Sequence, residues 1–481
     1  MSVSRRTFLG AAAASAAFSG YARLAHAQAA PAESYRSEVA GYGPLEKDPF
    51  GVFDLPKGFS YRVVSTAGQE MDDGLLVPFK ADGMACFPGR AGEVILTRNH
   101  ELKATDRNFG PLGVAQQLDG HAARGPFGMG REGKLDRELA YDLDANGRPL
   151  PGGVSIIRYD LRTQRTVRQH LALAGTAVNC AGGRTPWGSW LTCEETLIKP
   201  GEGGSKLHGW VFEVPANSRG LVKAEPLKAM GRFMHEAAAV DPKSGAVYMT
   251  EDSWDNRGLL YRFLPNTPGE LHKGGRLQAM GFRDLPEGGD TSNHEQRVWS
   301  QGDWKDVVWI DLDAVDNPDN DLAVRGRGKG CVYLARGEGI HWGAGELYLT
   351  ATAGGAAKAG QIMRYVPSPV EGQPGEKDQP GRIQLFVESG DKSIYDYGDN
   401  LTVSPWGHLF VCEDRYSKDL PNHLRAVTPE GKVYTFGRNM FRDNAEIAGV
   451  CFSPDGSTLF VNIYWPGITL AITGPWTEFR S

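Results

Sequence analysis

Short apolar runs separated by tight turns recur along the chain, and the pattern is clearest between residues 235 and 252. The polar pair His235-Glu236 precedes an apolar run. A turn containing Asp, Pro and Gly follows, and a second apolar run ends at the acidic pair Glu251-Asp252. Short apolar runs joined by such a turn are typical of β-hairpins. The segment is therefore predicted to be a hairpin with polar groups at the end opposite its turn.

The same order of polar anchor, apolar run, turn and second apolar run occurs six times. We number these repeats units 1 to 6, and their anchors begin at Asp82, Asn179, His235, Arg336, Asp399 and Glu446. Several units are followed by further strand-like runs, for example at 153–160 and 258–263. Six units of about four short strands predict an all-β fold, a six-bladed β-propeller. A β-sandwich or a pair of β domains is the alternative.

The repeats also suggest the domain organisation. Residues 58–481 are expected to form a single propeller domain, preceded by an N-terminal arm at 28–57. The spacing of the anchors is irregular, which places insertions of loop with some helix near 110–139 and 267–327. The 62 glycines and 29 prolines agree with many short strands and tight turns, and argue against a mainly helical protein.

Charge and cysteine usage exclude other classes. With 52 Lys+Arg against 58 Asp+Glu the formal net charge is −6, which argues against a nucleic-acid-binding protein because such proteins need a basic surface for the phosphates. Six cysteines are too few for a disulfide scaffold in a chain of this length. Five of them lie in apolar, strand-like runs, whereas Cys180 lies in a polar, loop-like segment.

The first 27 residues resemble an export signal. Ser4-Arg5-Arg6-Thr7-Phe8-Leu9 is followed by a short run of small apolar residues and by Ala25-His26-Ala27, which has the form of a cleavage site. The sequence therefore predicts export by the twin-arginine translocation machinery to the periplasm or the medium. An unrelated Ala-rich amphipathic helix is the alternative. No later run reaches about 18 apolar residues, so no membrane span is expected in the mature form, which we expect to be a monomer.

The hairpin geometry predicts where the chemistry lies. The first strand of each propeller blade lines the central channel, and each anchor lies across one hairpin from a second polar group, so both groups return to one face. This brings together the anchors and the acidic groups that end the second strands: Asp82, Cys180, Glu236, Glu338, Asn400 and Glu446, with Glu101, Glu194, Glu195, Glu251, Asp252, Glu413 and Asp414 around them. So many carboxylates repel one another unless their pKa values rise or cations lie between them. Carboxylates suit calcium, whereas a thiolate among them suits a transition metal such as iron.

Arg336 lies two residues before Glu338, and residues i and i+2 of a strand share a face. A guanidinium beside metal ligands is an arrangement that binds phosphate, because it offers paired donors and neutralises charge. A structural ion pair with Glu338 is the alternative.

The sequence resembles the PhoX family of bacterial alkaline phosphatases between about Leu55 and Trp476. The resemblance rests on several segments: Thr97-Arg98-Asn99-His100-Glu101, the run from Asn179 to Glu195, Gly231-Arg232-Phe233-Met234-His235-Glu236-Ala237, Glu338-Gly339-Ile340, Asp399-Asn400-Leu401, Cys412-Glu413-Asp414 and the run from Ala448 to Gly456. It implies a twin-arginine-exported propeller in which carboxylates and a cysteine bind iron (Fe3+), with calcium (Ca2+) alongside, and which acts on phosphate monoesters.

Residue by residue, the resemblance implies metal ligands at Cys180, Glu194, Glu236 and Glu338, and a phosphate-binding arginine at Arg336. Further candidate ligands are Glu101, Glu413, Asp414 and Glu446. The late segment Val411-Cys412-Glu413-Asp414 departs from the family, which tends to have a Thr-Asp pair there.

The resulting hypothesis is metal-assisted hydrolysis of small phosphorylated substrates, specifically phosphate monoesters. A calcium-dependent lactonase or esterase of propeller type is one alternative, although calcium has no use for the sulfur of Cys180. A non-catalytic binding protein braced by calcium is the other.

Overall fold

The computed structural model of the chain describes residues 35–113, 131–416, 420–441 and 445–480. The predicted export signal at 1–27 lies outside the described residues, as do residues 114–130 of the first predicted insertion.

The predicted units form the strands of the structure. Three strands precede unit 1: β1 (Leu45–Glu46), β2 (Phe53–Pro56) and β3 (Ser60–Thr66). Unit 1 contains β4 (Ala81–Pro88), β5 (Glu93–His100), β6 (Gly152–Asp160) and β7 (Arg165–Thr176). Unit 2 contains β8 (Asn179–Arg184), β9 (Ser189–Glu194) and β10 (Val211–Pro215). Unit 3 contains β11 (His235–Val240), β12 (Val247–Glu251), β13 (Leu260–Pro265) and β14 (Gly275–Phe282).

The second half of the chain continues this order. Between units 3 and 4 lie β15 (Gly289–Asp290), β16 (Trp304–Asp311), helix α1 (Leu322–Gly328) and β17 (Val332–Tyr333). Unit 4 contains β18 (Gly337–Gly343), β19 (Glu346–Ala351), β20 (Gln361–Val366) and β21 (Arg382–Glu388). Unit 5 contains β22 (Gly398–Val403), β23 (Leu409–Glu413), β24 (His423–Val427) and β25 (Val433–Asn439). Unit 6 contains β26 (Ile447–Phe452), β27 (Thr458–Ile463) and β28 (Ile468–Thr473). Short 3-10 turns occur at Arg107–Phe109, Glu132–Lys134, Lys228–Met230 and Leu271–Lys273.

The first strands of the six units form a closed ring. Each of β4, β8, β11, β18, β22 and β26 contacts the first strand of the unit on either side, and β26 contacts β4 to complete the circuit. Glycines allow this approach, because a Cβ added at Gly339 would lie only 2.6 Å from the carbonyl oxygen of Asp399. A cavity of about 510 Å³ lies inside the ring on the side away from the anchors, and its lining includes Arg184 and Trp342.

Apolar side chains fill the space between neighbouring units. Alternate residues of a strand point to opposite faces, so one strand contributes to two layers. In β5, Val94 and Leu96 pack towards unit 6, whereas Ile95 packs towards unit 2. The same arrangement encloses an apolar layer between each adjacent pair of units.

The segments outside the repeats complete the sheets. β3 pairs antiparallel with β28, so residues 60–66 supply the outermost strand of unit 6. β2, in the expected N-terminal arm, pairs with the outer strand β25 of unit 5. The segment 267–327, expected to be loop with some helix, also contains the strands β14 and β16. β16 pairs with both β14 and β21, which joins units 3 and 4 into one nine-stranded sheet.

The described residues are thus all-β and propeller-like, with one short α-helix. The number of blades stays a prediction, because the continuous sheet across units 3 and 4 has no edge that divides it. No helix in the described ranges has both the length and the apolar character required to cross a membrane.

We predict that Gly339→Ala lowers the thermal midpoint by several degrees, because the added methyl group meets the backbone of Asp399 and Asn400 rather than flexible side-chain ends. Overpacking of this kind costs about 1–3 kcal/mol of folding free energy. Gly220→Ala is the matched control, since a Cβ there meets no atom within 4 Å. Equal thermal midpoints for the two variants would contradict the close approach of β18 and β22 at Gly339.

Candidate metal centre at the channel mouth

Strand register places a ligand-type residue of five of the six first strands at the channel mouth. The first strands pair with the second strands at Ala81–His100, Asn179–Glu194, His235–Glu251, Gly337–Ala351 and Gly398–Glu413. The residue after each of these first-strand positions carries a ligand-type side chain. We call these residues the inner ring: Asp82, Cys180, Glu236, Glu338 and Asp399.

A β-bulge follows each register pair. The register shifts directly after the pair in five of the six first strands; in β26, where the equivalent pair is Ile447–Ile463, the shift comes one residue later, between Ala448 and Cys451. A bulge re-aims a side chain and ends regular pairing, which is why bulges are common beside active sites. Here the same irregularity, repeated around the ring, presents the inner-ring side chains at one level.

A second set of acids follows the same rule on the second strands. The residue after the register partner is Glu101 in unit 1, Glu195 in unit 2, Asp252 in unit 3 and Asp414 in unit 5; we call these four the outer ring. Units 4 and 6 have Thr352 and Tyr464 at this position. Both rings therefore surround one opening.

The inner-ring carboxylates are buried and incompletely paired. Glu236 has no exposed surface, and neither of its carboxylate oxygens has a hydrogen-bond partner among the described residues. Oδ1 of Asp82 is likewise buried without a partner there. A buried carboxylate without hydrogen bonds costs several kcal/mol in its charged form, so it is either protonated or bound to a cation.

Burial and mutual repulsion act on the whole cluster. Burial raises the pKa of Glu236 well above its usual value, and the charges of Asp399 and Glu338 raise it further. Burial together with Asp414 raises the pKa of Asp399 to about 8. The pKa values of the remaining acids are raised in the same way, with burial as the largest cause: Asp82, Glu101, Glu195, Glu338, Asp414 and Glu446.

Cys180 adds a thiol to this cluster. Its Sγ lies 3.5 Å from Oδ2 of Asp82, and burial raises the pKa of the thiol well above its usual value, with the neighbouring carboxylates adding to the effect. A cation would reverse this preference, because a coordinated thiol loses its proton.

Two groups of side chains have the spacing of metal ligands. The first group contains one ligand atom from each of Cys180, Glu195 and Glu236, and these three atoms lie within 4.8 Å of one another. The second group contains one oxygen from each of Glu236, Glu338 and Asp399, with the same spacing. Glu236 belongs to both groups. The first group combines a sulfur with oxygens, as transition metals prefer, and the second offers only oxygens, as hard cations prefer. The residues present therefore fit two neighbouring cations that share one carboxylate.

Arg336 lies at the edge of this cluster. Its Nε and Nη2 donate to Asp252 at 3.0 and 2.7 Å, and Nη2 also lies 2.7 Å from Oε1 of Glu338. Burial opposes the guanidinium charge, but Glu338 and Asp252 raise the pKa of Arg336. The ion pair with Glu338 that the sequence allowed as an alternative is thus present. Nη1 makes no hydrogen bond among the described residues.

Glu194 is one of the ligands expected from the sequence, but the structure places it away from the mouth and places its neighbour Glu195 there. Glu194 is fully buried inside unit 2, where its carboxylate accepts hydrogen bonds from the backbone N–H of Ala177 and Gly209, each at 3.0 Å, and bonds to Nδ1 of His208 at 2.7 Å. These partners hold Glu194 away from the mouth. Glu195, one residue later, points to the opposite side and joins Cys180 and Glu236.

The same separation occurs in unit 5. Glu413 bonds to Nδ1 of His423 at 2.9 Å and to Nε of Arg425 at 2.7 Å. Burial would raise the pKa of Glu413, but Arg425 and His423 lower it to about 2. Glu413 is therefore held within the sheet, and the structure brings its neighbour Asp414 to the mouth instead.

The other expected residues lie at the mouth, outside the two ligand groups. Glu101 accepts a hydrogen bond from the hydroxyl of Tyr464. Glu446 occupies the position directly before β26 that Arg336 occupies before β18. The sequence also predicts Asn400 at the mouth. It donates a hydrogen bond to Asp399 at 2.9 Å and accepts one from the N–H of Gly449 at 2.8 Å, so it joins units 5 and 6. Its neighbour Asp399 faces the cluster instead.

A family model and solved structures are similar to this chain. The family model described as alkaline phosphatase PhoX matches residues 40–467. A solved structure of Pseudomonas fluorescens PhoX, in complex with vanadate, a transition state analogue, is similar with a TM-score of 0.64 and 19% identity, covering 92% of this chain and 98% of that chain. A Xanthomonas campestris gluconolactonase has a TM-score of only 0.38 with 11% identity, covering 90% of this chain and 98% of that chain. A search of curated proteins finds no significant match.

We predict that Glu195→Gln and Glu194→Gln have different effects. Glu195→Gln should lower the metal content per chain, because it removes a charged ligand from the group around Cys180. Glu194→Gln should retain most of the metal and lower the thermal midpoint, because it leaves the buried His208 with one carboxylate partner fewer, a loss of about 3 kcal/mol. Elemental analysis and thermal melts measure the two effects. If only Glu194→Gln lost metal, Glu194 rather than Glu195 would be the ligand.

We also predict that the metal-free protein loses stability as the pH rises from 5 to 8.5. In the folded chain the raised pKa values, about 8 for Asp399, keep these carboxyl groups protonated, whereas the unfolded chain releases the protons above about pH 4. The folded state then binds more protons, so its stability falls with increasing pH. Melts with and without chelator test this prediction; a metal-free midpoint that is constant or rises over this range would contradict it.

Proposed function

The chain belongs to the PhoX family of alkaline phosphatases, and from this membership and the geometry of the mouth we propose that it hydrolyses phosphate monoesters at a metal centre formed by the two rings. The observation that carries the proposal is the fully buried carboxylate of Glu236, which has no hydrogen-bond partner among the described residues and belongs to both groups with metal-ligand spacing. Small phosphorylated compounds are the proposed substrates.

The donor atoms suggest which cation each group binds. We propose iron at Cys180, Glu195 and Glu236, because the thiolate favours a transition metal, and calcium among the all-oxygen ligands of the mouth. The chemistry that such cations supply is polarisation of a phosphoryl group and activation of a nucleophile.

Arg336 is the catalytic residue in this proposal, because its guanidinium would contact the phosphate directly. Asp252 and Glu338 hold Nε and Nη2 of the guanidinium, which fixes the plane of the group and leaves Nη1 for a non-bridging phosphate oxygen. A guanidinium fixed in advance stabilises the charge of the transition state without reorganising. The vanadate bound by the Pseudomonas fluorescens protein is a transition state analogue, and we propose that vanadate binds at the same place here.

We further propose that the six units are six propeller blades. The closed circuit of six first strands and the apolar layer between each pair of neighbouring units support this count. Export by the twin-arginine route to the periplasm or the medium, as a monomer, completes the proposal; it rests on the sequence of residues 1–27 and on the family.

We predict that Glu338→Ala loses bound metal and phosphatase activity together, because it removes a carboxylate from the all-oxygen group. Arg336→Ala should retain metal but lower kcat/KM by about 100-fold and weaken inhibition by vanadate, as expected for a lost charge-stabilising donor. Glu346→Ala is the matched control, because Glu346 pairs with Arg364 at the far end of the same hairpin. Hydrolysis of p-nitrophenyl phosphate and elemental analysis are the measurements.

Three outcomes would contradict the proposal. Full turnover and full metal content in Glu338→Ala would exclude this carboxylate as a ligand. Cleavage of a lactone without cleavage of p-nitrophenyl phosphate would favour a lactonase. Absence of iron and of hydrolysis at any pH, with or without added metals, would favour a binding protein.

A further inference from the structure

Two exposed aromatic side chains occupy equivalent positions beside the mouth. Trp254 and Tyr416 each lie two residues after an outer-ring acid, in the sequences Glu251-Asp252-Ser253-Trp254 and Glu413-Asp414-Arg415-Tyr416. Both belong to the segment that leaves the second strand of its unit, β12 or β23. The repeat thus places an aromatic residue at the same point in units 3 and 5.

These two side chains are unusually exposed for their size. Trp254 is 64% exposed and Tyr416 66%, the two highest values among the large hydrophobic residues that the structure describes. A large exposed aromatic group gains nothing from burial in the fold itself, and aromatic residues presented at a cleft are typical of ligand contacts.

Both rings lie beside the guanidinium of Arg336 and close to each other. Its central carbon lies 4.3 Å from the centre of the Trp254 ring and 5.9 Å from that of Tyr416, and the two ring centres are 6.4 Å apart. One face of Trp254 therefore covers Arg336, and the exposure of the side chain leaves the other face open. A phosphate held by Arg336 would have its ester group beside these open rings.

We propose that Trp254 and Tyr416 bind a planar leaving group, so that the preferred substrates are phosphate monoesters carrying a nucleobase or another aromatic ring. This inference rests on the proposed function of the same site. Stacking on an aromatic face accepts any base, because it requires no particular pattern of hydrogen bonds. The rings then select for the organic part of the ester, while Arg336 and the metal centre act on the phosphate.

Adenosine 5′-monophosphate and ribose 5-phosphate test this inference directly, since both release a primary alkoxide and differ in the base. The metal-loaded full chain should have a higher kcat/KM for the nucleotide. In Trp254→Ala the ratio of the two kcat/KM values should fall about tenfold, since stacking of one base is worth about 1–3 kcal/mol. Tyr416→Ala should lower the ratio in the same direction, and Trp254→Phe should restore most of it.

Phe50→Ala is the matched control, because Phe50 is also exposed, at 55%, but lies just before the outer strand β2. The ratio of the two kcat/KM values in this variant should equal the ratio in the unchanged chain. An equal kcat/KM for both substrates in the unchanged chain would overturn the inference. So would a Trp254→Ala variant in which both substrates lose activity equally and vanadate inhibition weakens, since Trp254 would then only position Arg336. If the unchanged chain hydrolyses neither these substrates nor p-nitrophenyl phosphate, the proposed function fails as well.

Discussion

The structure depends on how it tolerates negative charge in a confined space. Nine carboxylates and one thiol surround a single opening: Asp82, Glu101, Cys180, Glu195, Glu236, Asp252, Glu338, Asp399, Asp414 and Glu446. Arg336 contributes a cation that pairs directly with two of them. Like charges at such distances cost several kcal/mol per pair at protein dielectric. Glu236 makes no hydrogen bond to any residue that the structure describes, so nothing there offsets its burial. Only protonation or bound cations relieve this cost, so the fold and the chemistry of the mouth share one requirement.

The backbone makes this concentration of charge possible. Six first strands approach closely enough to form a ring because glycines such as Gly339 stand where a side chain would overlap the neighbouring strand. The bulge after each register pair then turns one side chain towards the axis. The buried partners of Glu194 and Glu413 anchor the second strands from within the sheets. Apolar layers between units supply the packing, and the acids near the mouth are of two kinds: some anchor the second strands, and the others face the opening.

The sequence predicts the units, the all-β class and the face on which the polar groups meet, because hairpin length and turn residues are local properties. It does not predict which acid of a pair faces the mouth. Glu194 and Glu195 are the same residue type, so the sequence alone does not distinguish them. Strand alternation shows which of the two faces the mouth only once the pairing of Glu194 with Asn179 is known. Asp399 and Asn400 differ for the same reason, since the bulge decides which of them turns inward. The roles of Trp254 and Tyr416 follow from a contact with Arg336 that spans three units.

The pairing of β3 with β28 has a consequence for the order of assembly. The last sheet of the ring takes one strand from residues 60–66 and its other three from residues 447–473. Until the ribosome has released these late strands, unit 6 lacks its inner strand and the circuit of first strands is open between units 5 and 1. Asp82 and Asp399 are then not yet enclosed in one ring, and the acids of the units already synthesised remain solvated. The enclosure around the two rings of acids is consequently complete only after residues 60–66 and 447–473 have paired, so a cation that needs this enclosure would bind late in biosynthesis.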